Sequence, residues 1–244
     1  MEENRISSGS YDLNKFFYGG YEKDVITTIY GPAGSGKTNL CLLCSVSQAK
    51  KGKKVLFIDS EGGFSSERVY QILNKNKEET QKVLSNIFIL TPTSFKEQEK
   101  IFENLLKYLK EQEISLIVVD SFVMLYRIEL ADAIKTELTS EIQKVNKKLA
   151  EQLRTLNEIS RKHKIPILLT NQVYSLFQKN EEEQKEREVS MVGGDLLKYW
   201  SKCLIELKKK NEKRTLILRK HRSLPDKSID FEIYDGGIKK RGWI

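Results

Sequence analysis

Short, unbroken apolar runs alternate with longer segments in which apolar side chains recur every three or four positions. Residues 25–30, 55–59, 87–90, 114–120 and 165–170 are rich in Val, Ile and Leu and do not alternate with polar residues. Such runs predict parallel strands covered on both faces. Between the last two, Leu130, Ile134, Leu138, Ile142, Val145, Leu149, Leu153, Leu156 and Ile159 keep helical spacing, which predicts one long amphipathic helix. Strand–helix–strand alternation implies an α/β fold with a mostly parallel central sheet flanked by helices. Beyond residue 203 the pattern changes to short strands at 203–207, 215–219 and 229–234, with Asn211 in the turn between the first two. These predict C-terminal antiparallel strands. No repeat or Pro-rich linker divides the chain, so residues 1–244 are read as one domain. Residues 1–24 form an N-terminal lead-in and 198–244 a basic C-terminal strand region. The polar, aperiodic segment 179–188 predicts a mobile loop.

Charge sharpens this division. Lys plus Arg number 42 and Asp plus Glu 34, a net charge of +8. Residues 198–244 hold 14 basic and 6 acidic side chains, so the whole excess, 14 − 6 = 8, lies in that segment. An uneven basic surface suits a polyanion such as DNA. Lys208, Lys209, Lys210, Lys213 and Arg214, in and around the expected hairpin, are the candidate DNA contacts. No apolar run reaches the length of a membrane span, and Met1–Asn4 show neither the basic flank nor the apolar stretch of a secretory leader. Three cysteines cannot all pair, so a reducing, cytoplasmic setting is expected. Cys41 and Cys44 have C-x-x-C spacing but sit within an expected helix without companion ligands, and His163 and His221 lie far apart. Neither pattern supports a metal site.

The strongest chemical signal is Gly31-Pro32-Ala33-Gly34-Ser35-Gly36-Lys37-Thr38, which fits G-x-x-x-x-G-K-[ST] between a strand and a helix. Its glycines let backbone amides approach phosphate oxygens, and the next helix points its positive end at the same group. Lys37 can reach the β- and γ-phosphates of ATP, and Thr38 can offer its hydroxyl to Mg²⁺. Asp120 ends the most apolar strand, where a carboxylate can hold Mg²⁺ or its water. Glu61 follows the strand at 55–59 and can polarise an attacking water, with Asp59 competing for that role. Gln172, after the strand at 165–170, can sense the γ-phosphate or simply end a strand.

Taken together, GPAGSGKT, IDSEGGF (58–64), LIVVDS with Leu125-Tyr126-Arg127, LTNQV (169–173) and Gly193-Gly194-Asp195 resemble the RecA/RadA recombinase core in order and spacing. The ending Lys220-His221-Arg222-Ser223-Leu224-Pro225 is similar to that of the RadB family, the short archaeal paralogues of RadA. The resemblance implies a RecA-like P-loop ATPase core. By it, Glu61 is the glutamate that activates water, Gln172 links the γ-phosphate to a second DNA loop, and Arg68 stacks on adenine. It sets the Glu61 strand beside the Asp120 strand. It also implies that Lys220 and Arg222, two residues apart on one strand face, reach a neighbouring protomer's γ-phosphate, with Pro225 capping adenine there. The first DNA loop would follow Arg127, but 128–134 lacks Gly and Arg character; the second, 175–192, carries Glu181, Glu182, Glu183, Glu186 and Glu188. No Phe-x-x-Ala polymerisation segment precedes the core. The family therefore implies an accessory role in homologous recombination with weak ATP hydrolysis, DNA and a recombinase or other repair protein as partners, and a possible homo-oligomer. The alternative is a KaiC-like nucleotide switch that regulates protein partners without touching DNA.

Overall fold

Parallel strands order the molecule, because each apolar run finds a neighbour on both sides. A computed structural model describes residues 4–174, 190–191 and 193–242; the expected loop at 179–188 and nearly all of 175–192 lie outside the described residues. The chain begins with β1 (Arg5–Ile6), α1 (Tyr11–Phe16) and β2 (Tyr21–Glu22). There follow β3 (Ile26–Gly31), α2 (Lys37–Ala49), β4 (Lys54–Asp59), α3 (Ser66–Ile72), α4 (Lys77–Leu84) and β5 (Ile87–Leu90). Next come α5 (Phe95–Glu111), β6 (Ile114–Asp120), α6 (Met124–Lys135), α7 (Thr139–His163), β7 (Ile167–Tyr174) and β8 (Ser190–Met191). The chain closes with α8 (Gly194–Trp200), β9 (Cys203–Lys210), β10 (Lys213–Lys220), β11 (Lys227–Tyr234) and β12 (Gly237–Lys240).

The main sheet runs β12-β11-β10-β9-β3-β7-β6-β4-β5, with β8 added antiparallel to β7. Pairing is parallel from β9 through β5 and antiparallel from β9 through β12. Thus β4 does lie beside β6, with Asp59 directly opposite Asp120. Helices cover both faces. Leu40, Leu43 and Val46 of α2 pack with Phe57, Val118, Leu207 and Phe231 on one side. On the other, Leu149, Leu153, Leu156 and Ile159 of α7, all fully buried, pack with Ile58, Val119 and Leu169. Burial of such side chains is worth about 1.5–3 kcal/mol each. Among the described residues no helix is long and apolar enough to cross a membrane.

One expectation needs correction. The long helical pattern is two helices, because the chain turns at 136–138, where Glu137 takes φ 58°. Ile134 and Leu138, at the break, are exposed although they fit the periodicity. The lead-in is part of the packing. Leu13 and Phe17 are buried, Ser10 Oγ donates to Ile238 O at 2.8 Å, and Lys240 N donates to Asp12 Oδ2 at 2.6 Å. The first strand of the molecule therefore meets the last by way of α1.

Candidate nucleotide site

The carboxyl ends of β3, β7, β6 and β4 lie side by side, and the candidate residues follow from that register. Gly31, which opens the phosphate loop, pairs with Gln172 of β7. Gly36 caps α2 at φ 109° without a side-chain hydrogen bond, so the first amides of a 13-residue helix face the loop. That region of φ favours glycine. A β-carbon at Gly36 would also stand 3.1 Å from Ile233 Cδ1, which leaves little room for another residue. Ser35 Oγ is buried with no hydrogen-bond partner among the described residues. Free helix amides and an orphaned hydroxyl form a cradle with unspent donors.

Lys37 is 7% exposed, and its Nζ donates to Gly31 O and Pro32 O, each at 3.0 Å. Burial pulls its pKa down from the ordinary lysine range, while Glu61 and Asp120 oppose that shift. Thr38 Oγ1 donates to Asp120 Oδ2 at 2.6 Å, and Thr170 Oγ1 donates to the other carboxylate oxygen. Asp120 is 1% exposed; burial pushes its carboxyl up, and the two threonines partly reverse this. Thr170 enters the sequence motifs only as part of LTNQV, with no role of its own. Its signal was only its place two residues before Gln172 on an inner strand.

Glu61 lies just past β4 and is open to solvent on one side. Partial loss of solvent raises its pKa first, then the Asp120 charge; Lys37 and a Ser121 hydrogen bond act against this. Asp59 has a different role. It is buried, and its two oxygens accept from Gly63 N at 3.0 Å and Phe64 N at 2.9 Å. Both oxygens are committed to the turn that carries Glu61. Arg68 is tied one residue past Thr38, donating from Nε to Asn39 Oδ1 at 2.8 Å. Its other nitrogens donate to Gln71 Oε1, Asp235 O and Tyr234 O. The guanidinium plane is thereby fixed at the edge of the loop.

The match to known proteins is extensive. The Rad51 family profile fits residues 2–241. The chain belongs to the Rad51 family. A DNA repair and recombination protein RadB of Methanobrevibacter smithii is 36% identical over 98% of this chain and 97% of its own length. Its counterpart in Methanosphaera stadtmanae is 39% identical over 98% and 97%. A solved structure titled as the RadB recombinase superposes with TM-score 0.73 at 33% identity, covering 96% of this chain and 98% of that one. The RadB group is thus the part of the Rad51 family that this chain resembles over nearly its full length.

Other Rad51-family expectations meet a more complicated geometry. Residues 128–134, where a first DNA loop was expected, lie inside α6. Lys220 ends β10 after an irregularity in pairing at 218–220, and Arg222 lies beyond the strand. The two cations therefore do not share a strand face. Lys220 Nζ donates to Lys198 O at 2.6 Å. Arg222 donates to both oxygens of Asp24, at 3.0 and 2.6 Å, and from Nε to Glu22. Arg222 holds the Asp24 carboxyl below its ordinary range. Pro225 is exposed in the turn that follows.

The basic hairpin is also divided. Lys210 pairs with Lys213, Lys209 with Arg214 and Lys208 with Thr215. Directly opposed residues share a face and successive ones alternate. Lys208, Lys210 and Lys213 therefore form one face, where Lys213 Nζ meets Asp230 Oδ2 at 2.9 Å. Lys209 and Arg214 lie on the other, the face packed against α2.

Proposed function

We propose that this Rad51-family chain is an ATP-binding, DNA-binding accessory protein of homologous recombination with weak ATP hydrolysis, and not a strand-exchange enzyme itself. The observation that carries the nucleotide reading is the meeting of Thr38, Asp120, Lys37 and Glu61 at the ends of adjacent strands. Thr38 and Asp120 would hold Mg²⁺, which when bound neutralises charge on phosphate oxygens. Lys37 exchanges its contacts with Gly31 and Pro32 for the phosphates. Glu61 takes up a proton from the attacking water, for which its raised pKa suits it. Gln172, opposite Gly31, and Arg68, fixed beside Asn39, would contact the γ-phosphate and the adenine.

DNA contact is assigned to Lys208, Lys210 and Lys213. The relatives' name as repair and recombination proteins supports it, and so does the basic C-terminal segment. The accessory reading rests on the helical 128–134 segment and the acidic composition of 175–192, which repels phosphate. A recombinase or another repair protein is the expected partner.

Fluorescence anisotropy with single- and double-stranded DNA across a salt series, with and without MgATP, tests this. The expected result is binding with little sequence preference that weakens steeply with salt. Absence of DNA binding even at low salt would favour a nucleotide switch acting on protein partners.

A further inference from the structure

Lys209 and Arg214 were grouped with the DNA-facing lysines, but the register turns them toward the phosphate loop. A β-carbon added at Gly34 would stand 3.5 Å from Lys209 Nζ, so the ammonium lies over the loop. Gly34 itself holds φ 67°. Arg214 is directly opposite Lys209 on one side and Phe231 on the other. The Phe231 ring lies 3.7 Å from where a β-carbon at Gly36 would be. The row Lys209–Arg214–Phe231 thus borders the loop from Gly34 to Gly36.

Several basic residues nearby have acidic partners. Arg219 has Glu206, Arg222 has Asp24 and Glu22, and Lys213 has Asp230. Among the described residues, the side chains of Lys209 and Arg214 make no hydrogen bond or ion pair, and Arg214 Nε is buried without any acceptor. Like charges directly opposed across a strand pair destabilise it, and a buried guanidinium N–H without an acceptor adds to the cost. An anion between them and the loop removes both penalties.

We infer that Lys209 and Arg214 bind the nucleotide's phosphates from within the same chain, completing the loop's cradle from the β9–β10 hairpin. This rests on the phosphate-loop reading above and adds two residues to it. It also joins the nucleotide to the hairpin whose opposite face carries the candidate DNA contacts. Bound phosphate would then touch the same strand that presents Lys208 and Lys210.

The test is calorimetric titration of MgATP, and separately of adenosine, into the full chain and into Lys209→Ala, Lys209→Arg, Arg214→Gln, Lys107→Ala and Lys37→Ala variants. Lys209→Ala should weaken MgATP binding about 10- to 100-fold, the loss expected when a charge-assisted contact is removed. Lys209→Arg should restore most of it, and adenosine binding should not change. Lys107→Ala, on the exposed face of α5, should bind MgATP like the parent. Lys209 is exposed, so its variants should fold; Arg214→Gln is the riskier arm and is read beside its melting temperature. Parental MgATP affinity in Lys209→Ala, with Lys37→Ala defective, overturns this inference alone. A parent that binds no MgATP overturns the phosphate-loop reading beneath it.

Discussion

The C-terminal segment carries two pairs of cations, and the structure treats them in opposite ways. Arg222 is held by Asp24 and Glu22, and Lys220 by a carbonyl of α8, so each is satisfied inside the chain. Lys209, on the strand next to the one that leads into the phosphate loop, and Arg214, opposite it on β10, have no such partner among the described residues. A cation with an internal acceptor can be explained by the fold. One left without an acceptor, beside a loop of free amides, is explained by a ligand. The difference separates residues of identical charge that the sequence presents as one basic segment.

The largest effects belong to the loop itself. Lys37→Ala should abolish measurable MgATP binding, and Glu61→Gln should bind ATP yet hydrolyse it about 10²–10⁴-fold more slowly. Parental turnover by Glu61→Gln would return the role to Asp59 or to no base at all. An Asp59→Asn variant should instead loosen the 60–64 turn, which a rise in local hydrogen exchange at Gly63 and Phe64 would report. Because the Glu61 carboxyl titrates above the ordinary glutamate range and must be ionised to act, the hydrolysis rate should fall as pH drops through that raised pKa. A rate flat down to pH 4 would contradict the assignment.

The DNA face should respond less. Replacing Lys210 and Lys213 by Gln should lower affinity for every sequence alike and reduce the salt slope by roughly one per lost phosphate contact. Nucleotide affinity should stay parental. If the slope is unchanged, DNA lies elsewhere.

Smallest is the clamp. Arg222→Ala should lower stability by about 1 kcal/mol or less, as for partly exposed pairs, or about 2–4 °C in melting temperature. Asp24 has a folded-state pKa below its unfolded value. Its stabilisation is therefore present above the unfolded pKa and lost as pH falls through the folded one, so the parent–variant difference should vanish in strong acid. The same clamp bears on action between subunits. A Lys220→Ala/Arg222→Ala protein should keep parental hydrolysis if the two cations stay on their internal partners. Loss of hydrolysis that returns on mixing with Lys37→Ala would mean that they act between subunits.

Much of this was legible in the sequence where the signal is contiguous. The phosphate loop is eight consecutive residues between a strand and a helix, and 116–119 before Asp120 are all apolar, so the motif and its flanking strands could be anticipated, while the β4–β6 neighbourhood came from the family resemblance. The lead-in was not, because two-residue strands and a six-residue helix are too short to show a period. The break between α6 and α7 has no Gly or Pro to announce it; Glu137 supplies the positive φ. Strand alternation could have separated Lys209 from Lys208 and Lys210. Which face meets the phosphate loop, however, depends on β9 pairing with β3, a contact between residues far apart in the chain.

The measurement that bears most directly on the account is equilibrium binding of MgATP to the parent, to Lys209→Ala and to Arg222→Ala under identical conditions. The account predicts tight binding by the parent, an unchanged affinity in Arg222→Ala and an affinity about 10- to 100-fold weaker in Lys209→Ala. The reverse order, with Arg222→Ala defective and Lys209→Ala parental, would contradict it.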